Sequence, residues 1–184
     1  VIRGPRGAGG SHVALCTTPT MIREAVARFS QQGIAPLRVM RLLRGPKYIA
    51  TGVFRDGEAI AAWQACAVEV WPAPTGPSTR TVTVHDPALS AAMQTLMAAL
   101  QWTGFASVDF LKHPDGSYRF LELNPRAPGC LPAVFSSSVD VIGALVAVMQ
   151  GGDAPVQGLA REGQDAVLWP RWVNAGFRQS TDGR

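Results

Sequence analysis

The stretch DFLKHPDGSYRFLELNPRAPG, from Asp109 to Gly129, reads as a strand, a turn at Pro114-Asp115-Gly116 and a second strand. If Asp115-Gly116 forms a two-residue turn, 114 pairs with 117, and the same register carried outward sets Asp109 directly opposite Glu122. Side chains alternate along a strand. Asn124 therefore shares the face of Glu122, while Val108, Phe110, Leu121 and Leu123 are expected on the other. One face is expected to be core, and the other to carry oxygen donors.

Like charges directly across a strand pair repel, and more strongly as water is excluded. Asp109, Glu122 and Asn124 together offer two carboxylates and an amide oxygen, hard ligands suited to Mg²⁺ or Mn²⁺. With no His or Cys among them, zinc is disfavoured. Magnesium usually binds substrate phosphates with one or two carboxylates, so this set reads as a phosphate-metal site. Asn124-Pro125-Arg126 then places a guanidinium just beyond the second strand, where it would neutralise a phosphate held by the same ion. The competing reading of the hairpin alone is a solvated sheet face on which acids need no ligand.

A second motif lies at the start of the chain, GPRGAGGSH from Gly4 to His12, between two short β-like runs. Glycines at 4, 7, 9 and 10 let backbone N–H groups approach an anion without Cβ obstruction, and Arg3 and Arg6 add positive charge. The loop lacks the Lys-Ser/Thr ending of a P-loop and lies between strands, so neither the Walker nor the Rossmann context applies. Taken alone it is equally a flexible turn.

The 184 residues, 47% apolar and 16% charged, suffice for a buried core without disulfide staples. No apolar run reaches the ~20 residues of a membrane span, and no leader peptide is expected. Three scattered cysteines, Cys16, Cys66 and Cys130, fit neither a disulfide framework nor a zinc set, so a reducing, cytoplasmic setting is expected. The net charge is +4, and Lys47 and Lys112 are its only lysines. An arginine-rich balance suits phosphate or carboxylate partners, although GC-rich coding explains the same bias. Arg38, Arg41, Arg44 and Lys47 form a basic run without interleaved aromatics, so nucleic-acid binding is not expected.

The helix signals fall at three places: Thr18 or Thr20 to Gly33, Asp86-Pro87 to Gly104, and Ser138 as cap to Gly151. β signals dominate from Leu37 to Val84, with a hairpin tip at Asp56-Gly57 and a loop at WPAPTGP. Residues 152 to 184 show little periodicity and read as a loosely packed tail anchored by Trp169 and Trp172.

A basic strand residue, a Gly-rich loop, antiparallel strands and an acidic strand pair ending in LELNPR together resemble the ATP-grasp superfamily. The likeness is nearest its carbamoyl-phosphate-synthetase-like branch, where TGPS at 75–78 also has a counterpart. The resemblance implies an α+β fold of two small lobes with mainly antiparallel sheets and flanking helices that grip ATP. It assigns 1–152 to the ATP-grasp domain, with 1–36 carrying the phosphate-binding strand and loop, 37–152 the second lobe, and 153–184 the tail.

By the same resemblance Asp109, Glu122 and Asn124 hold Mg²⁺ or Mn²⁺ against the phosphates, and Arg126 contacts the transferred phosphate. Arg3, Gly7, Gly9 and Gly10 contact the nucleotide. The implied activity is an ATP-dependent ligase of carboxylate-amine type: a small carboxylate becomes an acyl phosphate, which an amine or other nucleophile then attacks. The pattern departs at Met40, Arg41 and Lys47, where the family carries acids toward adenine and ribose. Those departures raise an alternative, a catalytically degenerate module serving as scaffold or partner subunit. A start at Val1 and the missing preceding domain point to a fragment that works with an N-terminal domain or partner chain.

Overall fold

The computed structural model of the chain describes residues 1–5, 7, 10–153, 160–169, 172 and 173; Arg6 and Gly9 of the glycine-rich loop lie outside them. Two compact units emerge, one of Val1–Arg44 with Val70–Pro77, the other of Gly45–Glu69 with Ser78–Arg184. The mixed α+β architecture with antiparallel sheets is the expected one.

In the first unit, β1 (Ile2–Arg3) lies between β2 (Val13–Ala14) and β3 (Arg38–Val39) in an antiparallel three-stranded sheet. Helix α1 (Pro19–Gln31) begins at Thr18, whose hydroxyl accepts the Met21 N–H at 3.2 Å, with Pro19 pre-set for the first turn. It buries Ala25 and Phe29 against Ile2 and Ala14. Ile22 and Val26 stay exposed because strands of two residues are too short to cover the whole apolar stripe. Gly10 of the glycine-rich loop lies against Thr75. Gly10 has φ +79°, and a Cβ there would fall 2.6 Å from the Thr75 carbonyl oxygen, so no other residue fits.

In the second unit, β4 (Lys47–Arg55) and β5 (Glu58–Val70) form the expected hairpin across Asp56-Gly57. β6 (Ser78–Thr83), α2 (Pro87–Leu100), β7 (Gly104–Lys112), β8 (Tyr118–Asn124), α3 (Leu131–Phe135), α4 (Val141–Met149) and β9 (Asp165–Val167) follow. The strands form one sheet in the order β8-β7-β4-β5-β6-β9. Leu89, Met93 and Met97 of α2 cover one face over Ala50, Phe54, Ala106, Val108 and Phe110. The opposite face packs Ile49, Val53, Ala61, Trp63 and Ala65 against α3 and α4 through Val134, Val141 and Ala144. Helix α2 thus covers one face over β4, β7 and β8, and α3 and α4 cover the other over β4 and β5.

Two expectations need correction. The cap of α4 is Asp140, whose carboxylate accepts the Gly143 N–H at 2.7 Å, and not Ser138. Ser138 has φ +71° and closes the turn after α3, a short helix in a segment whose Pro, Gly and Ser content reads as loop. Residues 160–168 are not loose. β9 pairs with β6, and Ala160 and Leu168 enter the core; a three-residue strand carries no period, and its partner is more than eighty residues away. Trp169 is exposed, whereas the Trp172 indole N–H donates to Glu69 at 3.1 Å. Among the described residues no helix is long and apolar enough to cross a membrane, and Cys16, Cys66 and Cys130 form no disulfide.

Candidate functional site

The site rests on the β7–β8 hairpin, and its register is reached by two offsets. His113 N–H donates to Ser117 O at 2.8 Å, and Gly116 N–H to His113 O at 2.9 Å, so the turn holds three residues, 114 to 116, not two. Gly116, at φ +85°, supplies the left-handed residue such a turn requires. The pairing next to the turn, Lys112 with Tyr118 through Phe110 with Phe120, is accordingly one residue out from the expected one. A bulge at Leu121 then restores it. Beyond the bulge Asp109 stands opposite Glu122 and Ser107 opposite Asn124, as expected. Leu121, expected on the core face, is instead the extra residue and is missing from the α2 cluster, whereas Leu123 joins it.

Across the three strands β4, β7 and β8 the site face reads in rows. Ile49, Asp109 and Glu122 form one row; Thr51, Ser107 and Asn124 form the next. Thr51 Oγ1 donates to Ser107 Oγ at 3.0 Å, both fully buried, and Asn124 Nδ2 donates to Glu122 Oε1 at 3.3 Å. Lys47, two residues before Ile49 and on the same face, reaches diagonally to place Nζ 3.3 Å from Asp109 Oδ2. The two side chains are only 22% and 17% exposed. Burial pushes the Asp109 carboxyl above its ordinary pKa; the Glu122 charge adds to the rise, and Lys47 and Arg126 oppose it. Arg126, just past β8, is exposed, with Nη1 donating to Ala127 O at 3.0 Å.

These donors fit a hard divalent cation: two carboxylates of opposed strands with an amide one step along, half-buried beside buried hydroxyls. No group of three or more His, Cys, Asp and Glu side chains suited to a metal is found among the described residues. Residues 34–168, more than half of the chain, match a family described as "ATP-grasp in the biosynthetic pathway with Ter operon". The chain belongs to the ATP-grasp family.

Solved structures share the fold. Biotin carboxylase from Campylobacter jejuni, in a complex with β-γ-ATP, superposes with a TM-score of 0.68 at 14% identity, over 89% of this chain and 40% of that one. The biotin carboxylase domain of 2-oxoglutarate carboxylase from Hydrogenobacter thermophilus, in complex with MgADP, ADP and bicarbonate, gives 0.66 at 16%, over 89% and 39%. N5-carboxyaminoimidazole synthetase from Staphylococcus aureus, complexed with ADP, gives 0.67 at 12%, over 98% and 49%. This ATP-grasp chain thus spans less than half the length of these structures. No curated protein matches it in sequence.

Within the first unit of the ATP-grasp chain, Ile2 faces α1, so Arg3 faces the other side of the three-stranded sheet, between Val13 and Arg38. Gly7 and Gly10 lie in the loop after it, and Gly9 is outside the described residues. Of the basic run from Arg38 to Lys47, the arginines belong to the first unit, and Lys47 is turned into the acidic site of the second. Three residues of the site were not found by motif reading. Lys47 stands out only as a departure from the family pattern, and Thr51 and Ser107 read as ordinary strand residues. Their partners lie more than fifty residues away, so no local pattern marks them.

Proposed function

We propose that this chain is the metal- and nucleotide-binding part of an ATP-dependent ligase that activates a carboxylate as an acyl phosphate for attack by an amine or other nucleophile. The observation that carries this reading is the opposed pair Asp109 and Glu122, held face to face on adjacent strands in a partly buried site. Such a pair is costly without a cation and suited to one.

In this reading Asp109, Glu122 and Asn124 hold Mg²⁺, or Mn²⁺ in its place. The ion, when bound, neutralises phosphate oxygens. Arg126, exposed at the end of β8 and near enough to act on Asp109 by charge, binds the transferred phosphoryl group as a fork of donors. On the first unit, Arg3, Gly7, Gly9 and Gly10 are the proposed nucleotide-phosphate contacts. Phosphoryl transfer needs positioning and charge neutralisation more than a protein nucleophile, and these residue types supply both. The similar structures are complexes with β-γ-ATP, ADP, MgADP and bicarbonate, which supports a nucleotide and a small carboxylate as ligands here.

Mg-ATP or Mg-ADP should raise the melting temperature, and Glu122→Ala should abolish the rise. Absence of any shift at millimolar nucleotide would remove the chain as a nucleotide binder. One observation favours a second reading, a degenerate scaffold: the Lys47 ammonium lies where the family carries an acid, against a proposed metal ligand. ATP consumption that depends on an added carboxylate would eliminate it.

A further inference from the structure

The two lysines of this chain sit in contrasting ion pairs on opposite faces of the same sheet. Lys112 Nζ donates to Asp86 Oδ2 at 2.6 Å, and the same oxygen accepts the Tyr118 hydroxyl at 2.6 Å, a short, shared and fixed arrangement. Lys47 meets Asp109 through one contact of 3.3 Å, well beyond the 2.7–2.9 Å usual for an ammonium on a carboxylate. Its strand position is opposite Leu111, not Asp109, so the pairing is made by the reach of a flexible stem and not imposed by register. Lys47 can therefore leave without disturbing β4.

Charge balance shows when it should leave. Lys47 is a single cation set diagonally against two opposed carboxylates, Asp109 and Glu122, with the Arg126 charge also acting on Asp109. A divalent ion held by both acids would neutralise the pair and leave Lys47 as a surplus, largely buried cation. A buried ammonium requires an anion. Nucleotide phosphate is the anion that the site's own chemistry brings.

We propose that Lys47 is a built-in counter-ion that occupies the cation position at Asp109 in the free protein and moves onto a nucleotide phosphate when a divalent ion takes its place. The inference rests on the reading of Asp109 and Glu122 as metal ligands. Its consequence is coupling: the ion binds poorly by itself and well with nucleotide, and the nucleotide gains by the same factor. Lys47 is thus a positioning residue that makes uptake of the two ligands concerted.

Free Mn²⁺ measured by electron paramagnetic resonance, in titrations of the full chain with and without ADP, tests this. Lys47→Met should bind Mn²⁺ alone at least tenfold more tightly than wild type, and ADP should improve Mn²⁺ affinity by a smaller factor than in wild type; Lys47→Arg, which keeps the charge, should bind Mn²⁺ alone as weakly as wild type. If Lys47→Met binds Mn²⁺ alone no better than wild type, while wild type takes up Mn²⁺ with ADP, the counter-ion role is overturned and the metal reading stands. If wild type takes up no Mn²⁺ even with ADP, the metal reading fails first.

A second measurement needs no substitution. With only two lysines, ¹³C-dimethylated wild type gives one side-chain signal for each. Saturating Mg-ADP should move the Lys47 signal and leave that of Lys112 in place. An unmoved Lys47 signal at saturation overturns the proposal.

Discussion

Asp109 and Glu122 stand directly opposite each other on β7 and β8 because two irregularities cancel, a three-residue turn closed by Gly116 and a bulge at Leu121. Either irregularity alone would put one acid on the α2 face, among Val108 and Phe110. A hairpin that offsets an extra turn residue with an extra strand residue conserves the facing of its acids, and that facing is what a cation between them needs.

The site is expected to cost stability in the absence of ligand. Burial and the Glu122 charge keep the Asp109 carboxyl above its ordinary pKa, so its ionised form disfavours the folded state, and this cost is present above that pKa. At pH 7 without metal, Asp109→Asn should therefore melt at or above wild type, with Glu122 left as the anion for Lys47, while losing the Mg-nucleotide shift. Differential scanning calorimetry with and without Mg-ADP checks both halves; a marked fall in the ligand-free melting temperature would show that Asp109 is a structural residue.

On the opposite face, Asp86 should make acid stability measurable. Its Oδ1 accepts the Ala88 N–H at 2.9 Å as the cap of α2, and its Oδ2 accepts Lys112 and Tyr118. Burial pushes its carboxyl up, but these hydrogen bonds outweigh burial and hold it at about 2, below the ordinary 3.8. A lowered folded pKa means stability that is present above the unfolded value and lost as pH falls from about 4 toward 2. Discounted for solvent screening, Asp86→Ala should cost about 1–2 kcal/mol at pH 7 in urea unfolding. Its deficit against wild type should shrink across that pH window.

The buried hydroxyl pair Thr51 and Ser107 gives a test of coupling across β4 and β7. Thr51→Val leaves the Ser107 oxygen without this partner and should cost about 1–3 kcal/mol; Ser107→Ala should cost a similar amount. The double variant should cost clearly less than the sum, as a double-mutant cycle reads it. Strict additivity would mean that the hydrogen bond contributes nothing.

Arg3 and Arg38 face each other across β1 and β3 as like charges. Arg38→Glu should raise stability by about 0.5 kcal/mol at low salt, an effect that fades as salt is added, and should at the same time weaken nucleotide binding. Thermal melts at two ionic strengths, with and without ADP, read both effects. Unchanged nucleotide affinity would separate Arg38 from the phosphate contacts.

Local patterns carried the greater part of the hairpins and helices. Asp56-Gly57, Thr18 and Asp86 mark their turns and caps through chemistry that acts within three or four residues, and the apolar stripe of α2 marks its buried face. The acids of the site were legible for the same reason: Asp109, Glu122 and Asn124 lie within sixteen positions of one another in a single hairpin. Their register was legible only in outcome, since a compensated turn and bulge leave the distal pairing where an ideal turn would have put it.

What the sequence by itself determined, then, is the set of short-range elements, the oxygen-bearing face of the β7–β8 hairpin and, through LELNPR, the ATP-grasp family. The tertiary structure alone decided that Lys47 meets Asp109 across 62 positions, that Thr51 meets Ser107 across 56, and that β9 extends the sheet beside β6. The physical reason is the same in each case. A strand's hydrogen-bonding edge accepts any strand of compatible length and twist, and which one it receives is settled by how the helices on both faces bury their apolar sides, a property of the assembled core and not of any segment.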